Sequence, residues 1–511
     1  MAEPAGEPNR TGGAGFAALL GLVGAALPME LDPAVHNIAI LAAGNALHMD
    51  GAARALAASM ATLCIAACIL ATGSMGDRLC RKRTMLLGLV IVMAGGAITA
   101  LANGTAMFTL GRAITGIGFA ASFGLAFALL ASVAPEPAAL ARTVARWLAL
   151  QTAGIVLLCL LGGYLAGISW RLAYLVSPAV AALAFVWCLK TVPEAKNDAP
   201  GPLDVPGMLL VAVGLVGTLY GVSNAASAGW TNTKVLLPLL LGFGVLAVFA
   251  LWERRHRQPA FPIRAFADPQ LMAGVVAGIG SNIAVAVIAI QLSLLWQYVY
   301  NYKPIDVSLS QLPMIAACIV TAGWAGSLVA RGVPMRRLMV AGLLAVAGAV
   351  AMLGFAGASA PYMFFAVPLA VAGAGVMLTQ APAANAFVSK APPALVGAIG
   401  SSRTAFGQFG YAVGLALSSS LVYGMFTPLL GQRLAQAGAT PAEQGQAIGI
   451  VHAWVHSHAA PGFDARLVQE VIDSGRAAYL QSYLVTMLVM AGLIALVAGL
   501  CFWILSRRSS A

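Results

Sequence analysis

The stretch Gly73–Arg83, GSMGDRLCRKR, places one aspartate and four basic residues directly after a long apolar segment. A shorter, similar stretch, GSLVAR at Gly326–Arg331, follows a later apolar segment. It precedes a basic pair, Arg336 and Arg337. The same element at equivalent places indicates two parallel halves related by an internal repeat. The sequence therefore predicts a repeated helical bundle.

The composition is that of a membrane protein. Of the 511 residues, 60% are hydrophobic and 9% charged, and the mean hydropathy is +0.89. A helix that spans a bilayer needs about 20 apolar residues. Fourteen segments meet that need: 15–41, 54–74, 84–103, 107–132, 144–167, 172–190, 205–224, 234–252, 270–297, 309–330, 338–357, 362–385, 397–425 and 478–505. We expect an all-α protein embedded in the lipid bilayer.

The basic residues predict how the chain is oriented. An even number of spans puts both termini on one side of the membrane. If that side is the cytoplasm, nineteen of the 28 Lys and Arg residues lie there and seven lie outside. This bias obeys the positive-inside rule and explains the net charge of +11 without a nucleic-acid partner. We predict a multi-pass inner-membrane protein with both termini in the cytoplasm.

The repeat also predicts the domain organisation. The second copy follows the tenth apolar segment, whereas an arrangement of six plus six helices would put it after the eighth. Two extra helices therefore lie between the halves. The predicted units are a cytoplasmic tail (1–14), a six-helix bundle (15–190), two inserted helices with cytoplasmic linkers (191–268), a second six-helix bundle with an external loop at 426–477 (269–505) and a cytoplasmic tail (506–511).

The first apolar segment carries charge in the stretch Pro28–Asn37, PMELDPAVHN. Charged groups at bilayer depth are rare and usually functional. Asp32 and His36 share a helical face, whereas Glu30 lies about 200° around an ideal helix from Asp32. We predict that this stretch handles a proton or a cation. Glu30 is either a second cation ligand or a side chain that reaches polar surface, and His36 either shares the proton or only hydrogen-bonds within the bundle.

Several motifs, in order, resemble the fourteen-helix drug:proton antiporter branch of the major facilitator superfamily. Gly73–Arg83 is similar to the superfamily signature between helices 2 and 3, with Cys80 in place of its second glycine. Arg112–Gly118, RAITGIG, resembles the helix 4 motif, and Leu31–Ala39 resembles the helix 1 pattern. Further similarities are Ser169–Arg171, Leu203–Gly207, Leu251–Arg255, Pro392–Gly397 and Gly407–Gly414. The resemblance covers nearly the whole chain.

The resemblance implies a major facilitator fold of two six-helix bundles plus two inserted helices. It implies multidrug efflux: export of hydrophobic, cationic drugs or toxic compounds in exchange for protons, by alternating access. The helix 1 acid and the helix 4 arginine, here Asp32 and Arg112, have coupling roles in that branch. The alternative for these two residues is a static buried ion pair.

The signature after helix 2 predicts a cytoplasmic gate. Its candidate residues are Gly73, Asp77, Arg78 and Arg81. Asp77 can pair with Arg78 or with a neighbouring helix and so latch one state. The alternative is a basic cluster that only fixes orientation.

The helix 5 antiporter signature is altered. Its Gly-Pro pair is replaced by Leu158 and Cys159, while Gly154, Gly162 and Gly163 remain as helix-packing candidates. This departure favours, as the first alternative, a carrier for another small solute such as a metabolite or a siderophore. The second alternative is a non-transporting membrane sensor or enzyme on the same fold.

The remaining expectations concern partners and chemistry. Gln297 and Gln380 are candidates for lining a cavity. No phosphate-binding loop of the form G-x-x-x-x-G-K-[ST] occurs in the sequence, and no catalytic constellation is evident. We predict no enzyme activity, no cofactor and no metal. The expected partners are a small-molecule substrate and protons. We expect a monomer and leave open an accessory periplasmic protein.

Overall fold

The computed structural model describes residues 10–133, 137–194, 204–256, 263–389, 396–457 and 463–506. Within those ranges every regular element is a helix, and no strand occurs. The predicted all-α fold class is therefore confirmed. Its physical basis is the lack of water in the bilayer core, where a helix satisfies its backbone hydrogen bonds within one segment.

The chain up to residue 194 forms helices α1 to α7 in the ranges described. They are α1 Arg10–Ala46, α2 Gly51–Leu79, α3 Arg81–Ala100, α4 Thr105–Val133, α5 Pro137–Ile168, α6 Trp170–Tyr174 and α7 Val176–Thr191. The Asp50 side chain caps α2 by accepting from the Ala53 N–H at 2.7 Å. Such caps satisfy backbone donors that a helix start leaves open.

Two helices and a short 3-10 turn follow, namely α8 Val205–Ala228, α9 Thr233–Arg255 and the turn Ile263–Ala267. Asp204 caps α8 by accepting from the Gly207 N–H at 3.0 Å and also accepts from Trp252 Nε1 at 2.9 Å. This shared carboxylate ties the start of α8 to the end of α9. The two helices pack against each other as a hairpin.

The last part of the chain forms helices α10 to α17 in the ranges described. They are α10 Pro269–Tyr298, α11 Pro304–Ser310, α12 Leu312–Ala330, α13 Met335–Gly354, α14 Tyr362–Ser389, α15 Val396–Gln436, α16 Pro441–Ser457 and α17 Ala465–Ser506.

Thirteen stretches of the described chain are helical, long and apolar enough to cross a membrane, and α2 adds a shorter apolar stretch, Ala53–Ile69. Each of the fourteen predicted segments overlaps one of these. Large apolar side chains also cover the outer surface: Leu183 and Val320 are each 75% exposed and Leu496 is 73% exposed. A soluble protein rarely exposes so much apolar surface, whereas a lipid bilayer solvates it.

Helices extend beyond the predicted apolar segments in two places. The stretch Gly73–Arg83, expected as a loop, is helical except for Cys80 at the junction of α2 and α3. Much of the expected loop 426–477 is also helical, since α15 continues to Gln436, α16 fills Pro441–Ser457 and α17 begins at Ala465. Hydropathy identifies only the part of a helix that lipid surrounds. Backbone hydrogen bonds continue the helix beyond that apolar part, so the helices are longer than the segments predicted from hydropathy.

The bundle has two ends. We call the end that carries Arg81–Arg83 and Arg336–Arg337 the basic face, and the end that carries the α1–α2 turn the opposite face. The two repeat-bearing parts of the chain meet where α2 packs on α15, α5 on α11, and α1 on α10, α11 and α16. Helix α8 packs against both α2 and α15 and so covers their seam.

Close helix packing at glycines fixes the position of α4. A Cβ atom on Gly88 of α3 would lie 2.7 Å from Ala121 Cβ, and one on Gly118 of α4 would lie 2.6 Å from Val92 N. Both distances are too short for a real side chain. Small residues of this kind let helix backbones approach within a membrane, so α4 is held firmly against α3.

Candidate functional site

The central feature of the site is an ion pair between α1 and α4. Arg112 donates from Nη1 to Asp32 Oδ1 at 2.7 Å and from Nη2 to Asp32 Oδ2 at 2.6 Å. Arg112 is 2% exposed and Asp32 is 5% exposed. Paired hydrogen bonds of this kind between guanidinium and carboxylate are strong and directional. The structure thus brings together the two charges that the sequence singles out.

Neighbouring helices hold the two partners of this pair in place. Helix α1 continues through Pro28 and Pro33 and carries Asp32 into the bundle. Gly116, one turn beyond Arg112, lies so close to α2 that a Cβ there would come within 2.9 Å of Ala61 Cα. The pair is therefore built on tightly packed backbone, which limits its freedom to separate without a wider movement.

The guanidinium of Arg112 has a second neighbour, Tyr174. The Arg112 Cζ atom lies 5.6 Å from the centre of the Tyr174 ring, within the range of a cation–π interaction. Phe108 packs edge-on against Tyr174 at 5.2 Å between ring centres. The Nε atom of Arg112 has no hydrogen-bond partner within the described chain. Aromatic rings thus lie beside a charge that is paired with one carboxylate among the described residues.

His36 lies on the same helix as Asp32 but has a different partner. Its Nδ1 atom is 2.7 Å from the Tyr174 hydroxyl, and its Nε2 atom is buried without a partner in the part of the chain that the structure describes. His36 is 1% exposed. The ring of Tyr174 therefore lies beside Arg112 while its hydroxyl binds His36, so an aromatic side chain connects the histidine to the ion pair.

The next residue, Asn37, connects this region to the second part of the chain. Its Nδ2 atom donates to the Tyr411 hydroxyl at 3.0 Å, and its backbone carbonyl accepts from Ser293 Oγ at 2.7 Å. The candidate Gln297 donates to Ser293 Oγ at 2.9 Å. These contacts join α1 to α10 and α15, so a movement between the halves would have to break them.

Glu30 has surroundings unlike those of Asp32. It is exposed, and it interacts electrostatically with Arg403 of α15, which is also exposed. Arg403 in turn donates to Gln380 Oε1 at 3.2 Å, and Gln380 Nε2 donates to Ser281 Oγ at 3.1 Å. Because these side chains come from both halves, the exposed Glu30 faces the space between the halves. The candidate Gln380 belongs to this second group.

The three candidate glycines of α5 lie at helix contacts. A Cβ on Gly154 would lie 2.9 Å from Leu27 Cδ1, and one on Gly162 would lie 2.5 Å from Val35 Cγ2, both on α1. Gly163 faces Ser308 of α11. Each glycine therefore permits a close approach, the first two within the first half and the third between the halves.

The candidate gate residues lie together at the basic face. Gly73 is near the end of α2, and no atom lies within 4 Å of a Cβ built on it. Arg81 is the first residue of α3. The side chains of Asp77 and Arg78 lie outside the described residues.

Sequence reasoning missed the residues that complete the site. Tyr174, Ser293 and Arg403 carry no charge pattern or motif that would have marked them, although Arg403 stands near the start of an apolar segment, where basic residues are uncommon. Tyr411 appears in the sequence as one aromatic residue among several in an apolar segment. The signal that identifies them is contact with His36, Asn37 or Arg112 and, for Arg403, its electrostatic interaction with Glu30.

A family model decides the identity of the chain. The model described as Major Facilitator Superfamily matches residues 15–415. The chain belongs to the major facilitator superfamily. Members of this superfamily are multi-pass membrane transporters rather than enzymes, and they bind small molecules within the membrane.

The named relatives share low sequence identity with this chain. The uncharacterized MFS-type transporter EfpA of Mycobacterium tuberculosis is 24% identical over 64% of this chain and 61% of its own length. The drug efflux pump JefA of the same organism is 26% identical over 60% of each chain. The puromycin resistance protein pur8 of Streptomyces alboniger is 29% identical over 64% of this chain and 65% of its own. The matched region thus spans about three fifths of each relative.

Solved structures confirm the superfamily fold. A bacterial homologue of the human lysosomal transporter Spinster, in an inward-facing and occupied conformation, has a TM-score of 0.64 and 13% identity over 97% of both chains. An auto-inhibited POT family peptide transporter has a TM-score of 0.61 and 16% identity over 96% of this chain and 97% of its own. At these identities the likeness shows the fold alone.

Proposed function

We propose that this transporter exports hydrophobic cationic compounds in exchange for protons by alternating access. The observation that carries the proposal is the bidentate ion pair of Asp32 and Arg112, buried between α1 and α4. A membrane protein seldom retains such charges at depth without a use for them. The relatives named for drug efflux or antibiotic resistance support the same class of cargo.

The ion pair offers a simple means of coupling. Burial strengthens the attraction between Asp32 and Arg112 but makes each charge unfavourable when alone. When the halves move and water reaches Asp32, a proton can bind the carboxylate and release Arg112. When the proton leaves, the pair forms again. Proton binding and the movement of the halves then depend on each other.

The second carboxylate gives the cation a place to bind. Glu30 is exposed between the halves, where Arg403 acts on it electrostatically. A cationic substrate competes with Arg403 for Glu30, and Gln380 retains the displaced guanidinium through the hydrogen bond already present. Two separate acids, one for the proton and one for the substrate, allow an exchange of cations.

Location and direction belong to the same proposal. The basic face carries the Arg81–Arg83 and Arg336–Arg337 clusters and is placed in the cytoplasm by the positive-inside rule. The protein then resides in the inner membrane with both termini cytoplasmic, works as a monomer and moves substrate toward the opposite face. The units 1–14, 15–190, 191–268, 269–505 and 506–511 remain our proposed domain division, and Asp77 with Arg78 remains the proposed gate latch.

The test uses purified protein in liposomes that enclose a pH-sensitive dye, with ethidium as a fluorescent hydrophobic cation. We expect an ethidium gradient to drive proton movement, and Asp32→Asn to reduce that movement at least tenfold. Asp473→Asn, which removes an exposed carboxylate on α17, is the matched control and leaves the movement unchanged. Ethidium transport without proton movement in the wild-type protein would exclude antiport.

A second function has one specific observation in its favour. Where the antiporter signature has Gly-Pro, this chain has Leu158 and Cys159, and the Cys159 carbonyl accepts from Ser308 Oγ of α11 at 3.4 Å. The altered region therefore contacts the other half directly. A carrier for an uncharged or anionic solute without proton exchange would show flux of that solute and no response to ethidium in the same liposomes.

A further inference from the structure

A cavity lies at the opposite face, away from the ion pair of Asp32 and Arg112. Its volume is about 760 Å³, and residues of α1, α2, α8, α10, α15, α16 and α17 line it. This is the size of a site for a drug-sized molecule. Most of the lining is apolar or aromatic and includes Trp230, Phe426 and Tyr479.

The polar end of this cavity contains a buried arginine. Arg54 of α2 is 8% exposed and lines the cavity. It donates from Nη2 to Asn45 Oδ1 at 3.1 Å and from Nη1 to the Tyr423 hydroxyl at 3.3 Å. Both partners are neutral, and the Nε atom has none within the described chain. Arg54 therefore has hydrogen-bonding capacity to spare.

The charge of Arg54 also lacks a direct counter-ion. In the described ranges Arg54 forms no ion pair. Asp50, one turn earlier, also lines the cavity, but its carboxylate is exposed and caps α2 through the Ala53 N–H. Arg476 interacts electrostatically with the lining residue Tyr298. A buried guanidinium without a carboxylate is unfavourable unless an anion completes it.

A second unsatisfied group points to a ligand independently. Tyr479, which is 6% exposed, lines the cavity, and its hydroxyl is buried without a hydrogen-bond partner in the part of the chain described here. Buried hydroxyl groups nearly always have a partner. An acceptor atom on a bound molecule would supply one.

We propose that this cavity binds an amphipathic anion, a molecule with a carboxylate or phosphate-ester head group and an apolar body. The head group accepts from Arg54, whose planar guanidinium suits carboxylates and phosphates, and the apolar body lies along the aromatic wall. The site differs in place and in charge preference from the cation site at Glu30. It does not rest on proton coupling.

Binding of dodecyl phosphate to the protein in neutral phosphatidylcholine nanodiscs, followed by calorimetry, tests the proposal. We expect saturable binding that Arg54→Gln weakens at least tenfold. Arg466→Gln, which changes an arginine whose side chain is 81% exposed on the same face, leaves it unchanged. Tyr479→Phe removes a hydroxyl group that has no partner among the described residues, and it is expected to weaken binding about fivefold, as the loss of one hydrogen bond would.

Three results would overturn the proposal. They are equal binding of dodecyl phosphate to the wild-type and Arg54→Gln proteins, equal affinity for dodecyltrimethylammonium, and equal affinity for inorganic phosphate, which has no apolar body. Dilauroyl phosphatidylglycerol serves as a competitor that tells whether the bound anion is a lipid of the bilayer or a free amphiphile. Displacement of dodecyl phosphate supports a lipid of the bilayer, and failure to displace it supports a free amphiphile. Loss of ethidium-driven proton movement leaves these results unaffected, so the two proposals fail separately.

Discussion

Arg112 and Asp32 are 80 positions apart in the chain and share two hydrogen bonds of 2.7 and 2.6 Å in a buried setting. Neither charge could remain there alone at low cost, because burial of an unpaired ion is unfavourable. The stability of α1 against α4 and the proposed proton exchange therefore depend on the same contact. Comparing variants that change one partner with variants that change both therefore separates effects on stability from effects on proton exchange.

The single and double variants of the pair should differ in stability. Asp32→Asn leaves Arg112 buried without a counter-charge and is expected to cost about 3–5 kcal/mol. The double variant Asp32→Asn with Arg112→Gln removes both charges and should recover most of that loss in stability, while proton movement stays reduced at least tenfold. Unfolding in mixed micelles and proton movement in liposomes measure the two effects. Equal stability of the single and double variants would contradict a pairing role.

The hydroxyl of Tyr174 should stabilise His36. Tyr174→Phe removes the 2.7 Å contact with Nδ1 and leaves a buried ring nitrogen unsatisfied, at an expected cost of about 1–3 kcal/mol. Tyr164→Phe, which changes a tyrosine that is 60% exposed on α5, should be neutral. Thermal unfolding measures both. If His36 also relays protons, Tyr174→Phe shifts the pH profile of transport, and an unchanged profile limits His36 to a structural role.

The proposed competition between Arg403 and the substrate for Glu30 can be tested by changing Glu30 and Arg403 in turn. Glu30→Gln removes the proposed cation ligand and should weaken ethidium binding about tenfold, whereas Arg403→Gln removes the competitor and should strengthen it. Asp473→Asn changes an exposed acid on α17 and serves as the control. Fluorescence titration of purified protein gives the affinities. A parallel loss in both variants would show that Arg403 does not compete.

The close approach of α5 to α1 predicts opposite effects at two glycines. A methyl group on Gly162 would lie 2.5 Å from Val35 Cγ2, so Gly162→Ala should destabilise the protein by about 1–3 kcal/mol. Gly167, on the same helix, has no atom within 4 Å of the equivalent position. Gly167→Ala should therefore be neutral or stabilising by up to about 1 kcal/mol. Thermal unfolding of the two variants measures the difference in stability. Equal changes in melting temperature would exclude a close contact between Gly162 and Val35.

The hairpin of α8 and α9 should be sensitive to acid through Asp204, which lies just before the apolar part of α8. Desolvation raises the pKa of Asp204, but hydrogen bonds donated by the Gly207 N–H and the Trp252 ring N–H, together with the side chain of Glu253, outweigh it, and the net pKa is below its ordinary value of 3.8. A carboxyl group whose pKa is lower in the folded state stabilises the protein above the unfolded pKa and loses that contribution as pH falls.

We therefore expect the melting temperature of the wild-type protein to fall as pH is lowered through about 4. Asp204→Asn should be less stable at neutral pH and should lose part of this acid dependence. The difference between the two proteins isolates Asp204 from the other acids, and identical pH curves would exclude its contribution.

The sequence by itself determines the membrane architecture. Each transmembrane helix is recognised from its own composition, because a segment surrounded by lipid must be apolar along about 20 residues whatever it packs against. The same logic marks Glu30, Asp32 and His36, since polar residues stand out in an apolar segment. The echo of Gly73–Arg83 at Gly326–Arg331 also indicates two halves without any knowledge of contacts.

Helix ends and side-chain partners are decided only by the tertiary structure. Hydropathy does not report a helix that continues into water, which is why α2, α15 and α17 are longer than predicted. The partner of His36 is Tyr174, 138 positions away, and Arg54, which the sequence places simply among external basic residues, is buried beside Tyr423. Such contacts depend on how each helix is rotated and packed against its neighbours. In a chain whose helices are apolar all round, the hydrophobic pattern does not specify that rotation, so close packing and a few polar contacts decide it.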